Sequence, residues 1–176
     1  MQQRNRGLTL VEMLITLIVI AILGGIAAYG IAAGAQAYST SEGVVTTLGK
    51  LRLASERLAR EIRTVRRNPV STSNYDIATM NASAIAFNRL EADDVTVTGV
   101  TITGTPPLVT LAYSSPAGSH TLTDQVSSLT FRYLQADGST LATGSADVAF
   151  VEFELELMHN GNSYAERTRV ALRNQP

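Results

Sequence analysis

The feature that most constrains this chain is a long run of uncharged, mostly apolar residues near its amino end. The run begins at Leu8, after two arginines at positions 4 and 6, and is interrupted by Glu12. It then continues for 23 residues from Met13 to Ala35. Because about 20 apolar residues suffice to cross a bilayer, the run predicts a membrane helix. A carboxylate near the bilayer centre costs on the order of 2.5–3.5 kcal/mol, so Glu12 requires a specific explanation.

A small residue, Gly7, lies directly before the apolar run, which is not its position in an ordinary secretory signal. An ordinary signal has its small-residue cleavage site after the apolar region, whereas here Gly7 precedes that region. The stretch GLTLVE from Gly7 to Glu12 resembles the leader junction of type IV prepilins and type II secretion pseudopilins. The resemblance implies that prepilin peptidase cuts between Gly7 and Leu8 and methylates the new amino group of Leu8. The family usually has phenylalanine after the cut, and Leu8 keeps an apolar residue there.

Cleavage also supplies a reason for Glu12. A cut after Gly7 creates a positive amine on Leu8, one helical turn from Glu12, and an opposite charge stabilises a buried carboxylate. Glu12 would also lie in the first turn of the helix, where the helix dipole favours negative charge. The resemblance implies an assembly salt bridge between Glu12 and the amine of a neighbouring subunit. The alternative is a signal anchor with an accidental acidic residue.

Four glycines interrupt the apolar run, at Gly24, Gly25, Gly30 and Gly34. Gly30 and Gly34 have the Gly-x-x-x-Gly spacing that lets helices approach closely in a membrane or a filament core. Glycine also weakens a helix by about 0.8–1 kcal/mol relative to alanine. Two interpretations stay open, namely helix packing through these positions and local melting near Gly24 and Gly25.

The chain beyond the apolar run predicts a second, amphipathic stretch of helix. Ser39 to Gly43 is interpreted as a hinge or loosened helix. Glu56 and Arg60 are expected to form an i,i+4 ion pair. Pro69 is expected to end the helix near Asn68, because the residue before a proline avoids helical geometry. One apolar stripe at helical spacing runs through Leu51, Ala54, Leu58, Ile62 and Val65.

The second helical stretch is strongly basic, and the remainder of the chain is acidic. Seven basic residues and two glutamates lie between Lys50 and Arg67, whereas residues 68–176 hold five arginines and eleven acids. One interpretation is a basic helix face that complements the acidic sheet region, in the same subunit or the next. A second is DNA binding through Arg52 to Arg67, although the segment lacks the aromatic residues that stack on single strands. The third is a solvated polar face.

After Pro69 the pattern changes to short alternating strands. Gly99 marks a slip in the parity of the alternation, which indicates a bulge or a tight turn. A turn at Ala136–Ser139 and a break at Pro106-Pro107 separate neighbouring runs. The alternating runs predict strands around Ile85–Phe87, Val95–Ile102, Val109–Tyr113 and Leu129–Tyr133.

The clearest predicted pairing is the last hairpin. Apolar residues alternate with three glutamates from Val151 to Leu157, and Asn160-Gly161 follows, the pair favoured in two-residue hairpin turns. A turn centred there pairs Glu152 with Arg169, Glu154 with Arg167 and Val151 with Val170. Charges then match on one face and apolar groups on the other. A structural role for the glutamates is therefore expected, not a metal or acid–base site.

The sequence predicts no catalytic site, no metal and no cofactor. The chain has no cysteine, and its histidines, His120 and His159, lie in expected turns. No serine elbow or phosphate loop occurs. Asp93 and Asp94 form an acidic pair that is compatible with calcium, but such pairs are more often solvated.

These features predict an α+β protein with the type IV pilin fold: a long amino-terminal helix packed on an antiparallel β-sheet domain. The expected parts are a leader peptide at 1–7, a hydrophobic transmembrane and assembly helix at 8–35, an amphipathic basic helix at 36–68 and a globular sheet domain at 69–176. The resemblance implies a minor pilin or pseudopilin that helps to assemble or initiate a type IV pilus or a secretion pseudopilus. The alternative is a competence-type pilin that binds DNA through its basic helix.

The resemblance also implies partners and a location. The expected partners are prepilin peptidase, other pilin or pseudopilin subunits, membrane lipid and the inner-membrane assembly platform, whereas nucleic acid is not expected. Leader arginines keep the amino terminus cytoplasmic and place the carboxy-terminal domain in the periplasm. The lack of cysteine points away from a major pilin. The J-type pseudopilin branch is similar in three segments, Leu58–Arg63, Leu129–Tyr133 and Arg169–Asn174.

Overall fold

The computed structural model describes residues 9–71, 73–93 and 95–172, and it confirms the α+β class. The described residues up to Gly43 form one compact unit and those from Val44 onward form a second, and each is described by itself. The elements in chain order are α1 (Leu10–Ile62), β1 (Ile77–Met80), β2 (Ala84–Leu90), β3 (Val97–Thr105), β4 (Leu108–Ser114), β5 (Ala117–Thr123), β6 (Val126–Leu134), β7 (Phe150–His159) and β8 (Asn162–Ala171).

The amino-terminal unit contains the first part of α1, and its apolar side chains are exposed. Every described residue up to Glu42 is exposed, and α1 is the one helix of the described chain that is long and apolar enough to cross a membrane. Helix α1 continues through Ser39–Gly43 without a break, and a hinge or a loosening of the helix in this segment stays a prediction. The Thr40 hydroxyl donates to the carbonyl of Gln36 at 2.9 Å, so this polar side chain bonds within the helix.

The second part of α1 carries the predicted apolar stripe into the core of the globular unit. Leu51, Ala54, Leu58 and Ile62 are all buried. The helix ends at Ile62, however, and the prediction that it continues to Asn68 is wrong.

The early helix end follows from what the next residues bind. Val65 and Arg67 form antiparallel bridges to Arg89 and Tyr75, so this segment hydrogen-bonds to the sheet region in place of the helix. Val65 is buried as predicted, but from an extended segment.

Two antiparallel sheets complete the globular unit. The first has five strands in chain order, β1-β2-β3-β4-β5, and the second has three, β6-β7-β8. Strand β6 lies against β3, where Gly104 faces Leu129. Buried residues from the helix and from both sheets form one hydrophobic cluster, in which Phe87 and Phe153 are the largest fully buried side chains.

The β7–β8 hairpin has the register predicted from the sequence. Glu152 pairs with Arg169, Glu154 with Arg167, and Val151 with Val170. Asn160 and Gly161 both have positive φ, at 49° and 78°, as the favoured two-residue hairpin turn requires.

The predicted irregularity at Gly99 is absent. Strand β3 pairs with β2 in regular register through Gly99, so no bulge forms there. Thr98, not Val97, takes the buried position next to Val100, because the Thr98 hydroxyl can donate to the carbonyl of Ser115 at 3.2 Å. The slip in the apolar alternation therefore marks a threonine on the inward face.

The contact between the two sheets generates a test of packing. A Cβ added at Gly104 would lie 2.5 Å from the Cβ of Leu129, a short side-chain segment that cannot swing away. We expect Gly104→Ala to lower the free energy of unfolding by about 1–3 kcal/mol, as overpacked cores do. Gly144→Ala is the matched control, because nothing lies within 4 Å of a Cβ added there. Urea unfolding of both variants checks this, and an equal effect would contradict it.

Candidate functional site: an assembly helix and a buried carboxylate cluster

The amino-terminal candidate residues fall partly outside the described chain. Gly7 and Leu8, the predicted cleavage and methylation positions, lie outside the described residues. Glu12 is described, and it lies exposed in the first turn of α1, where the helix dipole favours its charge. The amide of Glu12 donates to the hydroxyl of Thr9 at 3.3 Å, so Thr9 caps the helix.

The four glycines of the apolar run lie on the exposed surface of α1. Nothing lies within 4 Å of a Cβ added at Gly24, Gly25, Gly30 or Gly34. The fold of the single chain therefore does not require glycine at these positions. Packing against other helices and local melting both remain predictions, since neither is a property of this chain alone.

Within the globular unit, a buried carboxylate gathers three partners. Glu61 is 2% exposed and lies on α1 four residues after Arg57. Its Oε1 lies 2.7 Å from Nη2 of Arg57 and accepts a hydrogen bond from the hydroxyl of Tyr113 at 3.0 Å. Its Oε2 accepts from Nη1 of Arg89 at 2.8 Å. Helix α1, strand β2 and strand β4 thus meet at one carboxylate.

The polar groups around Glu61 also bind one another. Arg57 donates to the Tyr113 hydroxyl at 3.0 Å, and this hydrogen bond, followed by the charge of Glu61, raises the pKa of Arg57. Burial raises the pKa of the Tyr113 hydroxyl. Arg89 lies over the Tyr113 ring, 5.2 Å from its centre, and pairs with Glu91 at 3.0 Å. The cluster is therefore internally satisfied, as a buried charge requires.

An open cleft of about 530 Å³ lies beside this cluster. The Thr96 hydroxyl donates a hydrogen bond to the Asp93 carboxylate, and the amides of Thr96 and Val95 donate to it as well. These hydrogen bonds, of which the hydroxyl's has the largest effect, lower the pKa of the Asp93 carboxyl. Asp94, the other half of the predicted calcium pair, lies outside the described residues. No group of three potential metal ligands occurs in the described part of the chain. The cleft residues are Arg57, Arg89, Glu91, Asp93, Thr96, Thr98, Tyr113, Ser115, Pro116 and His120.

Both histidines lie in strands, so their prediction in turns is wrong. His120 is in β5 with its ring 6.3 Å from that of Tyr113, and His159 ends β7. Strand β5 follows the Ser115-Pro116 turn and pairs with β4. The sequence analysis did not predict this strand, because apolar and polar residues barely alternate along it.

The glutamates of β7 have the structural role predicted for them. Glu152 is buried and pairs with Arg169 at 2.9 Å and with Arg132 at 3.4 Å. Glu154 pairs with Arg167. Glu156 accepts hydrogen bonds from the hydroxyls of Ser163 and Ser128. Both lower the pKa of the Glu156 carboxyl, and the hydrogen bond from Ser163 has the larger effect.

Contacts within the globular unit account for much of the basic stretch of α1 and the segment after it. Lys50 pairs with Asp124 at 2.6 Å and Arg66 with Asp76 at 2.7 Å, which is the predicted complementarity between basic helix and acidic sheet region. The Arg67 guanidinium lies 4.1 Å from the centre of the Tyr75 ring.

Two further arginines of this stretch bind acids on the helix itself. Arg57 pairs with Glu61, as described above, and Arg52 pairs with Glu56 at 3.0 Å. The predicted Glu56–Arg60 pair is therefore wrong, because Glu56 turns toward the preceding arginine. With these contacts formed, Arg60 and Arg63 make no ion pair with any described residue.

Sequence reasoning missed the Glu61 cluster. Its signal was the position of Glu61 beside Ile62 and three residues after Leu58, on the flank of the buried stripe. A charged residue there is buried with the stripe and needs partners, but the pattern does not reveal that Arg89 and Tyr113 supply them.

Comparison with known families matches one part of the chain. Residues 2–28 match the family model described as the prokaryotic N-terminal methylation motif, the leader signature of type IV prepilins. No curated protein matches the chain. The leader resemblance is thereby confirmed, and with the α+β architecture it supports a type IV pilin-like subunit anchored in a membrane.

The buried cluster generates a test of stability with a control on the same helix. Glu61→Gln removes the counter-charge of Arg57 and Arg89. We expect the free energy of unfolding to fall by about 3 kcal/mol. This value is at the low end of the range for breaking a buried ion pair, because Arg57 is partly exposed. Glu56→Gln breaks an exposed pair with Arg52 and should change it by less than about 0.5 kcal/mol.

Urea unfolding of the full chain in detergent, followed by near-ultraviolet circular dichroism, measures both variants. Equal destabilisation by the two substitutions would show that the Glu61 cluster does not hold the sheet to the helix.

Proposed function

We propose that this chain is a minor pilin or pseudopilin, a membrane-anchored structural subunit that helps to assemble or initiate a type IV pilus or a type II secretion pseudopilus. The observation that carries the proposal is the methylation motif at residues 2–28, together with the first part of α1, whose apolar side chains are exposed. An exposed apolar helix surface is stable in lipid or against other apolar helices, and a pilin encounters both in turn.

The proposal gives each amino-terminal residue a task. Prepilin peptidase would cut between Gly7 and Leu8 and methylate Leu8. Glu12, in the first turn of α1, would then pair with the amine of a neighbouring subunit and select its axial position in the filament. The glycines from Gly24 to Gly34 would let neighbouring helices approach closely.

The proposed location follows from the same parts. The chain would enter the inner membrane with its amino terminus in the cytoplasm and its globular unit in the periplasm, as the leader arginines favour. From there it would pass, through the inner-membrane assembly platform, into the filament with other pilin-like subunits. The globular unit would act through its surface, in keeping with a structural subunit whose motif is of the pilin type.

The assignment is tested first at the amino terminus. Intact mass and amino-terminal analysis of the chain, expressed with and without prepilin peptidase, should show a start at methylated Leu8 when the peptidase is present. A chain that still starts at Met1 with the peptidase, or one cut after the apolar run, would refute the proposal. A Gly7→Val variant is the control that should remain unprocessed.

The role of Glu12 is tested by separating processing from assembly. Glu12→Gln keeps the size and polarity of the side chain but removes the charge that attracts a neighbouring amine. We expect normal cleavage with a loss of filament incorporation of about tenfold or more, because an ion pair in a low-dielectric setting contributes well over 1 kcal/mol.

The matched control is Glu42→Gln, which removes a charge from the same unit beyond the apolar run. Incorporation is measured in sheared filament fractions by immunoblotting. Equal incorporation of the Glu12 variant and the control would remove the assembly role from Glu12.

A further inference from the structure

One edge of the second sheet is open. Strand β8 pairs with β7 along ten residues without a register shift, and no other described strand pairs with it. The amide of Leu172 donates to the carbonyl of Ala149. Because hydrogen-bonded pairs alternate along an antiparallel ladder, the even-numbered residues of β8 direct their backbone groups toward β7. The outward backbone groups then belong to Ser163, Ala165, Arg167, Arg169 and Ala171.

This edge lacks the usual protection against strand addition. Strand β8 contains neither proline nor a bulge. Its edge arginines, Arg167 and Arg169, are neutralised by Glu154 and Glu152, so they do not repel an approaching chain. An extended segment can therefore hydrogen-bond along it, the mode called β-augmentation.

A cleft of about 270 Å³ lies between α1 and β8, beside this edge. Arg60 and Arg63 line it, exposed and without an ion pair to any described residue. Two carboxylates also line it: Glu56, which Arg52 already binds, and Glu166 on β8. Among the described residues, the guanidiniums of Arg60 and Arg63 are thus accompanied by one unpaired carboxylate, that of Glu166. The cleft keeps a net positive charge, which favours the binding of one more negative group.

A second observation in the same cleft is independent of charge. Ser55 also lines it and is 1% exposed, and its hydroxyl has no hydrogen-bond partner, alone among the buried side chains of the described residues. A buried hydroxyl without a partner is unfavourable and costs free energy. A polar group that enters the cleft removes that cost.

We propose that this cleft and the β8 edge together bind an extended segment of a neighbouring pilin-like subunit, which places an aspartate or glutamate between Arg60 and Arg63. The strand pairing supplies hydrogen bonds along the edge, and the two guanidiniums and the Ser55 hydroxyl select the carboxylate. This inference rests on the proposed function for the source of the segment. The chemistry of the cleft itself does not depend on processing of the leader.

The chemistry is tested with peptides on the full chain in detergent. The probe is a blocked, labelled hexapeptide of alternating threonine and valine with one central glutamate, and its control has glutamine there. Fluorescence anisotropy should show binding about tenfold tighter for the glutamate peptide, as expected for a charge-assisted pair. Methylation of the backbone nitrogens that face β8 should abolish binding, whereas methylation of the alternate nitrogens should not.

Variants locate the site. Arg60→Gln combined with Arg63→Gln should remove the preference for glutamate, and Ser55→Ala should reduce it. The control, Lys50→Gln combined with Arg132→Gln, removes the same charge from basic residues that do not line the cleft and whose acidic partners lie outside it, so it should leave the preference intact. Equal loss in control and cleft variants, or no preference in the parent chain, would overturn the proposal.

The source of the segment is tested separately in cells that assemble filaments. A photo-crosslinking residue in place of Ala165 should form an adduct whose partner, identified by mass spectrometry, carries a processed pilin-like amino terminus. Adducts to a protein of another kind would overturn the assigned partner. If the amino-terminal analysis found Leu8 unprocessed while the peptide preference persisted, the proposed function would fail and the cleft chemistry would stand.

Discussion

The structure depends on one constraint: the apolar side chains of residues 10–42 are exposed and are not covered by any described residue. Water cannot solvate so large an apolar surface without a high cost in free energy, so a bilayer or other subunits must cover it. This part of α1 therefore contributes nothing to the core of the globular unit. That unit must be stable through its own contacts, and its buried cluster draws on both sheets and on the second part of the helix.

The globular unit meets this requirement by burying charge as well as apolar surface. Leu58 and Ile62 occupy the apolar stripe, and Glu61 between them is almost as deeply buried. A carboxylate at this depth is tolerable because Arg57 and Arg89 neutralise it and the Tyr113 hydroxyl donates to it. The partners of Glu61 come from α1, β2 and β4, so this cluster links the helix to the first sheet.

The parts of the fold that could be predicted are those with a local physical cause. The β7–β8 register followed from Asn160-Gly161, because a two-residue turn fixes every later pair. The stripe followed from helical spacing. The helix end at Ile62 could not be predicted, because it depends on bridges from Val65 and Arg67 to residues distant in sequence. Strands β1 and β5 carry too little apolar alternation to stand out, and pairing with β2 and β4 defines them.

The difference between local causes and distant contacts also applies to the arginines of the basic stretch. A count of its residues gives an excess of positive charge, but the function of each arginine depends on tertiary partners that a count does not contain. Arg57 and Arg66 bind acids of their own unit and so stabilise the fold. Arg60 and Arg63 lie on the same stretch with no such partner, next to an open strand edge and an unsatisfied hydroxyl. Arg60 and Arg63 are therefore the charges through which the proposed neighbouring segment would be recognised.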